Sequence, residues 1–340
     1  MHRHNFRNYP LLILLTLIAI LTACTAAPNT PLATAIPTDI PPAVVTTEPT
    51  ATDIPTTNPA SALEPVTPEP AASTQTETLL ETAPSSPTPR ATPGEEDWAT
   101  LPVIPTISQN TIAIYMRGMA LGRDAHAFSK IGDCQNVSAY FLSPFAYGSA
   151  YKLGPYASLQ ETIDWYQETG SFTRDSLAVK GGFNVAAVLS PLRADATACL
   201  PGESPLACEL RVHNPSVAII SMETWWSGQP DAYEKYMRQL LDYTISQGVV
   251  PILATKADNL EGENQINKAL ARLAWEYDIP LWNFWASVQE FPNKGLTQDG
   301  FHLTLGNYDF EDPISTATGW SMRNLTALQA LDAVRLGVAP

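Results

Sequence analysis

Positive charge is scarce in this chain. Lysine and arginine together number 19, against 34 aspartates and glutamates, and the formal net charge is −15. The basic residues form no stripe, and proteins that bind nucleic acid rely on such stripes to neutralise phosphates. We therefore expect no nucleic acid partner. Zinc-type spacing, a Walker loop and a dinucleotide fingerprint are also missing from the sequence, so we expect neither a metal nor an organic cofactor.

Aromatic residues are absent from Thr25 to Asp97, a segment that holds half of the chain's 30 prolines. Threonine, alanine, serine and glutamate make up most of the rest. Such a composition cannot bury enough apolar surface to offset the entropy lost on ordering. We predict a disordered Pro/Thr-rich linker over residues 25–97, a stalk that would lift a domain off a membrane.

Residues 1–24 have the features of an export signal. Arg3 and Arg7 give a positive start, and the apolar run from Leu11 to Leu21 is too short to span a bilayer comfortably. Leu21-Thr22-Ala23-Cys24 resembles the bacterial lipobox, whose cysteine receives the lipid. An ordinary signal peptide with a chance cysteine is the alternative. We expect an extracytoplasmic bacterial lipoprotein, held at the cell membrane through Cys24.

The chain has only four cysteines, and one of them is assigned to lipid. Cys199 and Cys208 flank a loop rich in proline and glycine. In an exported protein this pair predicts a disulfide, worth about 2–3 kcal/mol in the chain-entropy model. Cys134 is then left as a thiol, and a thiol in an oxidising compartment is either buried or chemically used.

Residues 98–340 are numerous enough for one α/β domain. Apolar runs alternate with amphipathic segments, which predicts a parallel sheet with right-handed crossovers. Ligands bind beyond the carboxyl ends of such strands, where Gly132-Asp133-Cys134, Glu223 to Ser227 and Lys256-Ala257-Asp258 are expected. The predicted strands are residues 125–131, 217–222, 249–255 and 279–285, with a weak one at 176–180; the predicted helices are 156–169, 232–247, 264–277 and 324–336, with a partly helical lead-in at 108–122.

Two short blocks carry the residue types of a hydrolytic site. Ile131-Gly132-Asp133-Cys134 ends a predicted strand, and Asp299-Gly300-Phe301-His302 places a carboxylate three residues before a histidine. Together they resemble the first and last catalytic blocks of the SGNH/GDSL hydrolases, with cysteine where that family has serine. The resemblance covers most of the domain and implies a three-layer α/β/α, flavodoxin-like fold. It makes Cys134 the nucleophile, His302 the base and Asp299 its orienting carboxylate.

A cysteine can serve at the nucleophile position. A neighbouring imidazolium favours the thiolate, which attacks acyl carbons, and the base needs a third group to fix its tautomer. The alternative for Cys134 is a relic pocket in which it is a small buried hydrophobe. The alternative for His302 is an ordinary surface-loop histidine.

The family's oxyanion blocks match less closely. Gly181 or Gly182 corresponds to the glycine whose N–H helps to hold the oxyanion. The next block reads Glu223-Thr224-Trp225-Trp226, so Trp225 replaces an asparagine donor with a single indole N–H. Losing one such donor typically costs about 10²–10³ in rate. Glu223 is either a new acid or base of the site or a solvated turn residue.

The resemblance implies a hydrolase of acyl esters, such as the O-acetyl groups of a polysaccharide or a small ester, acting through a Cys-His-Asp triad. The lipobox would hold it at the cell surface, and we expect a monomer. The rival is a catalytically inactive SGNH-like fold that binds carbohydrate at the end of the stalk. Trp225, Trp226 and Trp320 either line a cleft suited to sugar rings or pack in the core or at its rim.

Overall fold

The computed structural model describes residues 97–223 and 230–339 of the 340-residue chain. The predicted export signal, the predicted lipobox with Cys24, the predicted linker up to residue 96, and Trp225 with Trp226 all lie outside the described residues. Within the two described ranges, no helix has both the length and the apolarity needed to cross a bilayer.

A parallel four-stranded sheet forms the centre of the domain. Every residue of its second and third strands is buried, as expected for strands that are covered on both faces. The strands lie side by side in chain order: β1 (Asp124–Gly132), β2 (Pro215–Ser221), β3 (Val250–Ala254) and β4 (Leu281–Trp282).

The segment predicted as a weak strand at 176–180 contributes one parallel bridge, between Val179 and Gly132. Gly132 pairs with Ser221 on its other side, so the bridge lies on the outer edge of β1. When this bridge is counted as a strand, the order becomes 2-1-3-4-5 in chain order, which is the flavodoxin-like arrangement.

Helices cover both faces of the sheet and make three layers. Helices α1, α2 and α9 pack on one face, and α3, α4, α5 and α6 pack on the other. The α-helices of the described ranges are α1 (Gln109–Ala120), α2 (Gln160–Gln167), α3 (Val185–Val188), α4 (Pro205–Val212), α5 (Pro230–Ser246), α6 (Gln265–Tyr277), α7 (Phe284–Val288), α8 (Pro313–Thr316) and α9 (Gly319–Val338). The predicted three-layer α/β/α fold is therefore confirmed.

Short 3₁₀ turns connect several of these elements. They span Asp97–Thr100, Cys134–Asn136, Ser143–Ala146, Gly154–Leu159, Pro191–Arg193 and Pro292–Gly295. The predicted helix at 156–169 divides accordingly into the 3₁₀ turn that ends at Leu159 and the α-helix that follows it.

The strand predicted at 279–285 is wrong over most of its length. Only Leu281–Trp282 pairs with β3, and Phe284 already begins a helix. The Asn283 amide donates to the Trp98 carbonyl, and the Asn283 N–H donates to the Val103 carbonyl, both at 3.0 Å. These bonds take the chain away from the sheet edge, so the apolar run continues as a helix.

The predicted disulfide is present. Cys199 and Cys208 are joined with their Cα atoms 5.3 Å apart, and Cys208 is fully buried in α4. The bond ties the loop after the Pro191–Arg193 turn to the helix that leads into β2.

Candidate functional site

Cys134 begins the 3₁₀ turn that follows β1 directly. Asp133 caps this turn: its Oδ1 accepts the Gln135 N–H at 3.1 Å, and its carbonyl accepts the Asn136 N–H at 3.0 Å. The second carboxylate oxygen of Asp133 accepts the Glu223 N–H at 2.9 Å. The fully buried aspartate therefore locks the turn to the end of β2, and the thiol of Cys134 is left half-buried at the carboxyl end of the sheet.

Gly132 lies where the Asn136 side chain and the Ser221 carbonyl approach the backbone too closely to leave room for a Cβ. A Cβ on Gly132 would lie 2.0 Å from Asn136 Nδ2 and 2.4 Å from the Ser221 carbonyl oxygen. The Asn136 amide fills that space and donates to the same carbonyl at 2.8 Å. The Gly-Asp-Cys sequence is thus explained locally: glycine admits the amide, and aspartate caps the turn.

Asp299 and His302 lie in a tight loop whose ends are held together. Leu296 bridges Leu303, and the Thr297 N–H donates to the His302 carbonyl at 2.7 Å. Inside the loop, Asp299 Oδ1 accepts the Thr297 hydroxyl at 2.6 Å and the His302 N–H at 2.9 Å. Such a self-bonded aspartate turn has little freedom to move.

The side chains of this loop form the predicted base and carboxylate pair. His302 Nδ1 lies 2.6 Å from Asp299 Oδ2. Because an ionised carboxylate only accepts hydrogen bonds, Nδ1 is the donor in this contact, and Nε2 is the ring nitrogen that points away from Asp299. Partial burial opposes ionisation of Asp299, but the Thr297 and His302 hydrogen bonds hold the pKa of this carboxyl well below its usual range. The ring is 43% exposed, so solvent or a ligand can reach it.

A hydrogen bond joins the two halves of the candidate site. Gln135, the residue after Cys134, donates from Nε2 to the carbonyl oxygen of Phe301, the residue before His302, at 3.1 Å. The two residues are 166 positions apart in the sequence. The structure thus brings the Cys134 turn and the His302 loop together, as the combination of the two blocks predicts.

Gly181 lies close to Cys134, and Gly182 follows it at an open position. A Cβ on Gly181 would be 3.9 Å from the Cys134 Cβ, and one on Gly182 would meet no atom within 4 Å. Within the described ranges, neither glycine N–H donates a hydrogen bond. Both N–H groups therefore lack an acceptor among the described residues, and the space at the Cβ position of Gly182 is open.

A cavity of about 510 Å³ extends from these glycines along the loop that carries α3. Its lining combines cations, an amide, a hydroxyl and apolar groups. The lining residues are Lys180, Gly181, Gly182, Phe183, Asn184, Ala186, Ala187, Ser190, Leu192, Arg193 and Ala194. A ligand could therefore occupy this cavity with one end beside Cys134.

Glu223 is buried beneath the site and has an internal partner. Its Oε1 lies 2.9 Å from Arg323 Nη1 and accepts the Ser221 hydroxyl at 2.9 Å. Arg323 Nη1 makes no hydrogen bond there, so charge attraction dominates this contact. Burial raises the pKa of Glu223 to about 7, although the charge of Arg323 opposes the rise. The solvated-turn alternative for Glu223 is therefore wrong.

Arg323 is a residue that sequence reasoning missed. Fully buried in α9, it donates to the Ser221 hydroxyl at 2.8 Å and lies over the rings of Phe141, Trp282 and Phe284. Charged residues are almost never fully buried without a partner. An arginine in the middle of an apolar helical sequence therefore predicts a buried ionic or polar partner. Arg323 and Glu223 together brace the end of β2 behind the Cys134 turn.

Charged residues also follow β3, as predicted, but their side chains are buried and paired with one another. Lys256 Nζ lies 2.7 Å from Asp258 Oδ1 and 2.6 Å from Glu261 Oε2, and all these side chains are nearly inaccessible. This ion-pair cluster supports the loop after β3 and offers little surface to a ligand.

Trp320 does not line a cleft. Its side chain is 7% exposed and stacks on Tyr140 with ring centroids 5.5 Å apart. The core-packing alternative is therefore confirmed for this tryptophan, whereas Trp225 and Trp226 lie outside the described residues.

Comparison with known proteins adds no assignment: no protein-family model matches the chain, and a search of curated proteins finds no match.

Proposed function

We propose that this chain is an SGNH/GDSL-like ester hydrolase that removes acyl groups, such as O-acetyl groups, from a polysaccharide. One observation carries the proposal. The Gln135–Phe301 hydrogen bond fixes the Cys134 turn against the loop in which Asp299 orients His302. A nucleophile, a base and an orienting carboxylate are thereby supplied by two rigid turns at the carboxyl edge of a parallel sheet.

In the first half-reaction, Cys134 Sγ attacks the carbonyl carbon of the ester and His302 Nε2 takes the thiol proton. The C–O bond to the alcohol then breaks, His302 returns its proton to the leaving oxygen, and an acyl thioester remains on Cys134. Asp299 stabilises the transient imidazolium, for which its short bond to Nδ1 is suited.

In the second half-reaction, His302 Nε2 takes a proton from water and the hydroxide attacks the thioester. The carboxylic acid departs, and the thiolate of Cys134 regains the proton. The N–H groups of Cys134 and of Gly181 or Gly182 hold the negative oxygen in both steps. The glycine N–H groups meet no acceptor in the described ranges of the chain, which supports this role.

The proposed location is the outer face of a bacterial cell membrane. It rests on the sequence Leu21-Thr22-Ala23-Cys24, where Cys24 would carry the lipid, and on the Pro/Thr-rich segment that follows. In this arrangement the domain works as a monomer at the end of a stalk, within reach of cell-envelope or extracellular polysaccharide.

A second candidate function is carbohydrate binding without hydrolysis. Two substitutions in the sequence favour it: cysteine in the place of the family's serine, and Trp225 in the place of its asparagine donor. A binding module would use the same cavity but would need neither a protonated Nδ1 on His302 nor an open N–H at Gly181.

Hydrolysis of p-nitrophenyl acetate by the purified chain separates the two functions. We expect turnover that falls at least about 10³-fold in Cys134→Ala and in His302→Ala, because the triad acts as a unit. His213→Gln is the matched control, since His213 Nδ1 also contacts a carboxylate, that of Glu209, at 2.8 Å. Equal rates in the wild type and Cys134→Ala would exclude the hydrolase and leave the binding module.

A further inference from the structure

The cavity beside Gly181 contains two cations without an ion-pair partner. Lys180 and Arg193 both line it and are both exposed. Among the described residues, neither side chain pairs with a carboxylate, although the chain has 34 acidic residues. Other arginines do pair: Arg211, Arg238 and Arg272 each lie against a glutamate. Two cations at one cavity, neither with a carboxylate in ion-pair contact, point to an anion that comes from outside.

Polar groups with unused hydrogen-bonding capacity accompany the cations. The Asn184 Oδ1 caps α3 by accepting the Ala187 N–H at 2.9 Å, which leaves its NH₂ group without an acceptor in the described part of the chain. The Ser190 side chain likewise has no partner there, and only its backbone is bonded. An amide and a hydroxyl beside a shallow cavity suit the hydroxyl groups of a sugar.

The carboxylate of Asp195 is close enough to Lys180 for their charges to interact. Hydrogen bonds from Thr197 hold the pKa of Asp195 below its usual range, and the charge of Lys180 contributes to that shift. The Asp195 carboxylate is engaged by Thr197 through both its hydroxyl and its N–H. It therefore leaves the Lys180 ammonium group available to a second anion.

We propose that this cavity binds the carboxylate of an acidic sugar, so that the substrate is an acetylated uronic acid unit rather than a neutral one. The proposal rests on the proposed hydrolase. It places the acetyl ester at Cys134 and the carboxylate between Lys180 and Arg193. The guanidinium fork of Arg193 matches a carboxylate in geometry, and the ammonium group of Lys180 adds a second charge.

The charge of the cavity matches a single carboxylate. Its lining holds two cations, Lys180 and Arg193, and one carboxylate per sugar is the charge that two such cations can accept. The inference therefore concerns the acidic sugar unit that occupies the cavity.

The first test compares two acetylated monosaccharides on the purified full chain: acetylated methyl galacturonoside and acetylated methyl galactoside, which differ only at the C6 carboxylate. We expect kcat/KM to be at least about tenfold higher for the acidic ester, and this preference to shrink as salt is raised. Lys180→Gln and Arg193→Gln should each lower kcat/KM for the acidic ester several-fold more than for the neutral one. Lys235→Gln, an exposed lysine outside the cavity lining, should leave the preference intact.

The second test measures binding of an oligogalacturonate to the Cys134→Ala chain by calorimetry, and it separates failure of this inference from failure of the hydrolase. Binding that is lost in Arg193→Gln, without hydrolysis of either ester by the wild type, would overturn the hydrolase and keep the acidic-sugar site. Hydrolysis of both esters at equal kcat/KM would overturn the acidic-sugar site and keep the hydrolase. Absence of both binding and hydrolysis would overturn both.

Discussion

Gln135 Nε2 donates a hydrogen bond to the Phe301 carbonyl oxygen at 3.1 Å, and this bond joins the turn that begins with Cys134 to the loop that ends with His302. Gln135 is 2% exposed, so the donor end of the bond is buried. A buried amide that bridges two functional turns is a positioning group: it holds the base relative to the nucleophile without touching a substrate.

Gln135→Met should therefore lower kcat for p-nitrophenyl acetate by about tenfold and leave KM nearly unchanged, because methionine preserves the volume and removes the donor. In a His302→Ala background the same substitution should have no further effect on kcat. If Gln135→Met lowered the rate by the same factor in both backgrounds, the role of Gln135 would be general stability rather than positioning of His302.

The buried Glu223–Arg323 contact should show strong energetic coupling. Arg323→Met should destabilise the domain by about 3–5 kcal/mol, because it leaves Glu223 buried without its cation. Glu223→Gln in the same chain should recover part of that loss. Urea denaturation of the single and double variants at pH 8 measures the coupling, which should shrink at pH 5.5 as Glu223 becomes protonated.

Arg238→Met is the control for this cycle. Arg238 lies 2.6 Å from both Glu234 and Glu276, but its side chain is 36% exposed. An exposed ion pair is worth about 1 kcal/mol or less. If Arg323→Met lowered the free energy of unfolding no more than Arg238→Met does, the stabilising role given to the buried Glu223–Arg323 pair would be contradicted.

Lys130 should make the free energy of unfolding rise with pH above about 7. Its Nζ donates to the Ser138 hydroxyl at 2.8 Å and to the Phe172 carbonyl at 3.1 Å inside the core. Burial lowers the pKa of Lys130 to about 7, the charge of Arg174 adds to the effect, and Asp175 and Glu209 oppose it. Between this value and the unfolded value of about 10.4, the unfolded chain binds a proton that the folded chain lacks, so stability rises with pH.

The free energy of unfolding should accordingly rise from pH 7 to pH 9 more in the wild type than in Lys130→Met, by up to about 1.4 kcal/mol per pH unit. Urea denaturation at pH 7, 8 and 9 measures this slope. Lys235→Met, which removes an exposed lysine, should keep the wild-type slope. Identical slopes in the wild type and Lys130→Met would mean that the buried amine is charged throughout this range.

The Cys199–Cys208 disulfide should contribute about 2–3 kcal/mol, since it closes a short loop in the unfolded chain. Reduction of the wild type with dithiothreitol should lower the denaturation midpoint, and reduction of the Cys199→Ala/Cys208→Ala double variant should change nothing further. Cys134→Ala should respond to reduction as the wild type does. An unchanged midpoint on reduction would show that the bond is energetically neutral.

Local sequence patterns were sufficient to predict part of the site. The apolar runs of β2 and β3 predict buried strands, and both strands are buried in the structure. The spacing of Asp299 and His302 predicts a contact between their side chains, and the two are hydrogen-bonded. Both predictions need only residues that are close together in the sequence. The end of the last strand was not predictable, because contacts of Asn283 with Trp98 and Val103 decide it.

The supporting contacts were also beyond local patterns. Arg323 meets Ser221 across 102 positions, and Gln135 meets Phe301 across 166. Hydrophobic periodicity carries no information about contacts between residues so far apart in the sequence. The placement of Gly181 beside Cys134 was expected only from the family resemblance.

The account depends most directly on whether His302 activates Cys134, and reaction of that thiol with iodoacetamide in the native, non-reduced protein measures it. At about pH 6.5, we expect Cys134 to be labelled faster than a model thiol such as glutathione, because the imidazolium of His302 stabilises the thiolate. His302→Ala should slow labelling about tenfold, and Asp299→Asn should slow it less. No labelling of Cys134 until the domain is unfolded, with no effect of either substitution, would contradict the nucleophile role and leave the site as a relic pocket.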